Sequence, residues 1–130
     1  MSSQGADRTF YRVIPQVEPT ANDFLSDKEL GEPPPASNDP IELRMWEGVS
    51  FNNSETQARI KATDLPFLGA YVAVVEIEGA NPVITYKRTG KSRGHYTLWG
   101  NAGEMVRCVV RVIRAADGVV VWQKASEGRQ

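Results

Sequence analysis

Apolar residues in the second half of this chain follow the short alternating pattern of strands. Tyr71–Ile77 is rich in β-branched residues, and Val83–Arg88 alternates between apolar and polar side chains, so both segments predict strands. Met105–Arg114 predicts another strong strand. The pair Asp117-Gly118 is typical of a tight hairpin turn and pairs that strand with Val119–Gln123. The second half of the chain therefore predicts an antiparallel β structure.

The first half of the chain mixes short strands with short helices. Thr9–Val17 predicts the first strand, and Val49–Phe51 predicts a second, brief one. Asp23–Leu30 predicts a short helix with an apolar side. A further helix is expected over residues 54–63, because the hydroxyl of Ser54 can accept from the free N–H groups of a first helical turn.

Three connecting segments complete the assignment. Glu32–Pro40 contains three consecutive prolines, which exclude a helix and predict a loop. Ile41–Trp46 is compatible with a short strand or with a turn of helix, and Tyr96–Trp99 with a short strand. Because helices gather early and strands late, we expect an α+β fold: a small split antiparallel sheet with one or two short helices in the N-terminal half. Residues 9–124 are expected to form one domain between polar tails over residues 1–8 and 125–130.

Composition narrows the classes of function. The chain has 130 residues, 41% of them hydrophobic, and 15 basic against 16 acidic residues give a net charge of −1. This balance argues against nucleic acid as a partner. No apolar run approaches the roughly 20 residues of a membrane span, and the first residues lack the apolar core of a secretory signal, so we expect a cytoplasmic protein without a membrane partner. One cysteine and one histidine predict no metal site.

Arg12 is the first residue with candidate chemistry. It lies inside an apolar strand, so its guanidinium must find a polar environment. It either pairs with a carboxylate on the solvent face or binds phosphate through its planar fork. Tyr11 beside it is expected on the opposite face of the strand.

A second candidate group surrounds the start of the helix at Ser54. Gly48 would permit close approach of a ligand to the backbone, and Ser50 is expected to point outward between two apolar neighbours. Asn52 leads into the free N–H groups of the helix start, where an anion can bind. The alternative is that these residues only cap the helix and form its turn.

Two further residues complete the candidates. Glu104 is expected where a strand emerges, and there its carboxylate could hold a ribose hydroxyl and stabilise an oxocarbenium-like centre. Its alternative is a solvated loop charge. His95 follows a basic loop and precedes aromatic residues, an arrangement that could hold a nucleotide or supply a general base. Its alternative is a surface histidine beside a core-facing tyrosine and tryptophan.

The order of these residues resembles that of the ADP-ribosyltransferase superfamily. The arginine of Tyr11-Arg12, the serine of Gly48–Phe51 and Glu104 before Met105-Val106 match its arginine–serine–glutamate signature, over about residues 9–114. The pattern is similar to compact bacterial members and to RES-type NAD-consuming toxins. The resemblance implies NAD as the cofactor-like substrate and ADP-ribosyl transfer or NAD glycohydrolysis as the reaction.

The resemblance also implies individual roles. Arg12, with Tyr11, Gly48, Asn52 and His95, would bind NAD. Ser50 and Glu104 would be catalytic, with Ser50 supporting the nicotinamide side and Glu104 activating attack at the anomeric carbon. Asn52 stands where the superfamily has a second hydroxyl, and Ala102 where it has a glutamine or glutamate.

The alternative hypothesis is a small non-catalytic interaction domain. A protein partner would then be contacted through the Pro33–Pro35 loop or the aromatic segment His95–Trp99. The two hypotheses differ in a geometric requirement, because transfer needs Arg12, Ser50 and Glu104 to line one cleft.

Overall fold

Seven antiparallel strands in one sheet form the centre of the part of the protein that the structure describes. A computed structural model describes residues 8–125. The strands are β1 (Arg8–Ile14), β2 (Val49–Asn52), β3 (Tyr71–Ile77), β4 (Thr85–Arg88), β5 (His95–Trp99), β6 (Val109–Arg114) and β7 (Val120–Gln123). Their order across the sheet is β4-β5-β2-β1-β3-β6-β7. The helices are α1 (Pro40–Trp46), α2 (Glu55–Asp64) and α3 (Ala102–Arg107), with 3₁₀ helices at Ala21–Phe24 and Pro66–Leu68. The expected α+β class and antiparallel sheet are confirmed.

The sheet is held together least tightly between β1 and β2. β1 pairs with β3 along its whole length, from Arg8 opposite Ile77 to Ile14 opposite Tyr71. On its other side β1 pairs with β2 only where Tyr11 lies opposite Asn52. The two strands therefore separate beyond that pair, while the seven strands stay in one sheet.

The larger part of the core lies on one side of the sheet, here called the first face. Phe10 and Ile14 of β1 are fully buried there, together with Phe24 and Met105. The ring of Phe10 contacts the rings of Tyr86 and Tyr96, at centroid distances of 5.1 and 5.2 Å. The segment around Phe24 and helix α3 cover this face.

Helix α2 covers the opposite side, here called the second face. Its Ala58 and Ala62 are buried against Val72 and Ile113 of the sheet. The Oγ of Ser54 accepts a hydrogen bond from the N–H of Gln57 at 3.2 Å, so the helix begins where the sequence predicted. The small alanine side chains let the helix lie close to the strands.

The helix expected over Asp23–Leu30 is wrong. A 3₁₀ helix starts earlier, at Ala21. The carboxylate of Asp23 accepts from the N–H of Thr20 at 2.8 Å, and this contact stabilises the single helical turn between them. Leu25 then adopts an extended backbone, which ends the helix. Phe24 is buried, but Leu30 remains 57% exposed, so the apolar side expected for this segment does not form.

The long strand expected over Met105–Arg114 is also wrong in its first part. The side chain of Asn101 accepts from the N–H of Glu104 at 2.7 Å and starts helix α3. Met105 packs from this helix into the core, and the strand β6 begins only at Val109. The apolar residues 105–113 therefore serve two elements in succession.

Shorter differences concern the ends of elements. Ile41–Trp46 forms the helical alternative, α1, with Pro40 as its first residue and Asp39 as its cap. Strand β4 begins at Thr85 rather than at Val83. Arg8, expected in the tail, is the first residue of β1. The rest of the predicted N-terminal tail, residues 1–7, and residues 126–130 lie outside the described residues.

None of the helices in residues 8–125 has the length and apolar character needed to cross a membrane.

Candidate ligand-binding cleft

A small hollow lies where β1 and β2 separate, and it is here called the interstrand cleft. Its volume is about 70 Å³. Strands β1 and β2, helix α2 and the 3₁₀ helix Pro66–Leu68 form its walls. The lining residues are Tyr11, Arg12, Val13, Ser50, Phe51, Asn52, Ala58, Lys61 and Leu68. The structure therefore brings together four of the residues that the sequence singled out: Tyr11, Arg12, Ser50 and Asn52.

The guanidinium of Arg12 bridges the gap between the two strands. Its Nε donates to the carbonyl oxygen of Asp23 at 2.7 Å, and its Nη1 donates to the carbonyl oxygen of Ser50 at 2.8 Å. Burial lowers the pKa of Arg12, and the nearby carboxylates of Asp23 and Asp27 oppose this effect. Because arginine has five N–H donors, these two bonds leave further donors at the cleft.

Lys61 adds a second positive charge to the cleft. It lies on α2 three residues after the buried Ala58, on the side of the helix that approaches the strands. Lys61 is largely exposed, but partial desolvation at the cleft lowers its pKa, and the positive charge of Arg12 lowers it further. No carboxylate is among the residues that line this hollow in the described part of the chain. The cleft is therefore a place where two cations repel each other.

The second face carries a row of polar side chains beside the cleft. Tyr11 of β1 lies opposite Asn52 of β2, and Asn52 lies opposite His95 of β5. Ser50 lies on the same face as Asn52 because side chains alternate along a strand. Arg12 lies on the other face, as expected from Tyr11, and it meets Ser50 through the carbonyl group rather than the hydroxyl.

Asn52 also has a local structural role. Its Oδ1 accepts from the N–H of Ser54 at 3.1 Å, at the point where β2 turns into α2. The capping role and the position in the cleft therefore coexist in this residue.

His95 lies half-buried at the start of β5. Its Nδ1 is 3.1 Å from both the hydroxyl and the carbonyl oxygen of Thr89. Burial lowers the pKa of His95, the bond to the Thr89 carbonyl opposes this, and the charge of Lys61 lowers the pKa further. A histidine with a lowered pKa is mainly neutral at pH 7. With Nδ1–H donating to Thr89, the ring carries its acceptor at Nε2.

Glu104 does not join the cleft. It lies in the first turn of α3, not at the mouth of a strand, and it lines a separate hollow of about 440 Å³ with Asn81 and Cys108 among its walls. Its carboxylate accepts from the Nδ2 of Asn81 at 3.2 Å and from the Nε of Arg107 at 3.3 Å. The helix that the sequence did not predict is the reason for this different position.

Gly48 serves packing rather than ligand approach. It is buried, and the space that a Cβ would need is taken by the side chains of Thr97 and Trp99. The Nε1 of Trp99 lies 2.8 Å from that position. The glycine therefore lets β5 and its tryptophan lie close to the start of β2.

Sequence reasoning missed Lys61. The available signal was its position three residues after Ala58 in a helix whose capped start was already predicted, since residues three apart share one side of a helix. What the sequence did not contain was the neighbour of that side, because it depends on the separation of β1 and β2.

Comparisons with known proteins identify no relative of this chain. A scan against protein-family models, a search of curated proteins and a search of solved structures each return no match. The geometry of the cleft therefore carries the functional argument.

Proposed function

We propose that this chain binds a phosphate-bearing nucleotide of the NAD type at the interstrand cleft. The observation that carries the proposal is the pair of positive charges, Arg12 and Lys61, beside a hollow that no carboxylate lines in residues 8–125. The positive charge of Arg12 lowers the pKa of Lys61, so keeping the lysine charged beside it is costly in the free protein. An anion bound between them removes that cost.

The shape of the hollow suggests which part of the ligand enters it. A volume of about 70 Å³ suits one phosphate-sized group rather than a whole dinucleotide. Arginine recognises phosphate through its planar fork, whereas lysine supplies a mobile point charge. The remainder of the ligand would then extend over the polar row of Tyr11, Asn52 and His95 on the second face.

The proposal does not use Glu104 as a catalytic acid. Stabilising an oxocarbenium-like centre requires a carboxylate next to the anomeric carbon. Glu104 lines another hollow, so a ligand held by Arg12 would not meet it. Binding without Glu104-dependent transfer is therefore the function that the geometry supports best.

The test is an isothermal calorimetric titration of the protein with NAD. Lys61→Met should weaken NAD binding by about tenfold, because it removes one charge-assisted contact to phosphate while retaining an apolar stem. Glu104→Ala is the matched control, and its affinity should equal that of the wild type. Heteronuclear NMR with added NAD should shift the amide signals of Tyr11, Asn52 and His95.

Two results would contradict the proposal. The first is an absence of heat and of spectral shifts at NAD concentrations up to about 1 mM, which is the upper end of common substrate affinities. The second is equal affinity in Lys61→Met and wild type. Nicotinamide release is measured in the same samples, and release that is lost in Glu104→Ala would restore the transferase hypothesis.

A further inference from the structure

A groove of about 560 Å³ runs along the open edge of the sheet, on the far side of β5 from the interstrand cleft. It is here called the edge groove. Helix α1 forms one wall and strand β4 the other. Its main lining residues are Pro40, Ile41, Arg44, Tyr86, Lys87 and Trp99.

The backbone of β4 offers hydrogen-bonding groups along this groove. Among residues 8–125, β4 is the last strand on its side of the sheet, so within this range it has a strand partner on one side only. The N–H of Thr89 donates to the carbonyl of His95, and in an antiparallel ladder the paired residues alternate. The N–H and C=O groups of Tyr86 and Arg88 therefore point away from β5, toward the open edge.

The side chains of the groove combine positive charge with apolar surface. The charged side chains of Arg44 and Lys87 line it, whereas the side chain of Arg88 lies on the opposite face of β4 from Lys87. No carboxylate lines the groove among the described residues. Ile41 is 61% exposed beside them. The guanidinium of Arg44 lies 4.4 Å from the ring centroid of Trp99 and also pairs with Glu47 at 3.0 Å. An incoming carboxylate would compete with Glu47 for Arg44.

We propose that the edge groove binds an extended, acidic segment of a partner protein, which adds a strand to β4. Strand addition uses main-chain bonds for affinity and pockets for alternate side chains for specificity. The outward groups of Tyr86 and Arg88 supply the bonds. One large apolar side chain of the partner lies against Ile41 and Trp99, and flanking carboxylates meet Arg44 and Lys87.

Charge also distinguishes this partner from a second copy of the chain. If two β4 strands paired with each other, Lys87 and Arg88 of both copies would lie together. Like charges on paired strands are destabilising. The groove therefore favours an acidic partner over self-association. This inference goes beyond nucleotide binding at the interstrand cleft and depends on different residues.

The test uses a fluorescein-labelled heptapeptide in which glutamate alternates with valine and phenylalanine. Binding is followed by fluorescence anisotropy, and NMR identifies the perturbed amides. The expected result is saturable binding with shifts at Tyr86 and Arg88. The same peptide with N-methylated backbone groups should bind at least about tenfold more weakly, because it cannot complete the ladder.

Two pairs of variants separate the backbone from the charges. Arg88→Pro removes the outward N–H and should abolish binding, whereas Arg88→Ala removes only the side chain and should retain most of it. Proline is tolerated on an edge strand where its missing N–H faces outward, and circular dichroism checks the fold. Lys87→Glu should weaken binding about tenfold. Lys124→Glu, the same charge change outside the groove, should not.

Several outcomes would overturn the inference. Equal binding of the N-methylated peptide would show that no strand is added. Shifts confined to the interstrand cleft would place the peptide there instead. Shifts at Trp99 and Lys87 on addition of AMP, with none on addition of the peptide, would identify the groove as a nucleotide site. NAD binding enters none of these measurements, so failure here leaves the proposed function standing.

Discussion

Replacing Arg12 by methionine tests whether the hydrogen bonds of this side chain stabilise the junction between β1 and β2. Methionine keeps an unbranched apolar stem and removes both donors to the carbonyl groups of Asp23 and Ser50. A hydrogen bond from a charged group contributes about 1.5–3 kcal/mol, so two bonds contribute about 3–6 kcal/mol. Removing a buried charge returns part of this energy. We expect the free energy of unfolding to fall by about 2–4 kcal/mol.

The measurement is urea unfolding followed by circular dichroism and tryptophan fluorescence. For a chain of this size, the expected loss corresponds to a melting temperature lower by about 10 °C. Arg12→Lys should lie between wild type and Arg12→Met, since one ammonium group reaches fewer carbonyls than the fork does. Lys61→Met is the control, and its change should stay within about 0.5 kcal/mol because that lysine is exposed.

One result would refute this reasoning. If Arg12→Met and the wild type unfold at the same urea concentration, the hydrogen bonds from Arg12 to the two carbonyl groups do not contribute to the free energy of unfolding. The guanidinium would then be free to serve a ligand alone. NAD affinity measured on the same variants separates the two roles, because Lys61→Met should lose affinity without losing stability.

The remaining predictions concern Gly48 and His95. Gly48→Ala should destabilise the protein by about 1–3 kcal/mol, because its Cβ meets the side chains of Thr97 and Trp99; an unchanged urea midpoint would contradict the packing role assigned to Gly48. Burial lowers the pKa of His95 in the folded state below its usual 6.5, so the unfolded state binds the proton more readily. The stability contribution of His95 is therefore complete above about pH 6.5 and is lost as the pH falls through the lower folded-state pKa. His95→Gln should flatten this dependence in urea unfolding measured between about pH 5 and 7.5, and an identical profile in both proteins would contradict the assignment.

Elements with strong local signals were predictable from the residues alone. The β-branched run Tyr71–Ile77 forms β3, the hydroxyl of Ser54 caps α2, and Asp117-Gly118 turns β6 into β7. For the cap at Ser54 and the turn at Asp117-Gly118 the decisive contact lies within a few residues along the chain. Such contacts are properties of the sequence, and the fold needs only to accept them.

Segments with ambiguous local signals were decided by their neighbours in space. Residues 105–113 are apolar enough for a continuous strand, but Asn101 starts a helix that brings Met105 into the core. Because of this helix, Glu104, which the sequence predicted as a catalytic residue, lines a different hollow from Arg12. A cap at Asn101 was not predicted from the sequence, and its competition with strand propensity depends on where Met105 can be buried.

Local chemistry predicted the α+β class, the placement of Ser50 on the opposite face from Val49 and Phe51, and the unusual position of an arginine in the first strand. The meeting of Arg12 with Lys61 required the tertiary structure, because it depends on β1 and β2 separating after a single residue pair. Alternation and capping act over a few residues, whereas a cleft is formed by groups that chain folding brings together from distant positions. The charges of the cleft were present in the sequence, and their proximity was not.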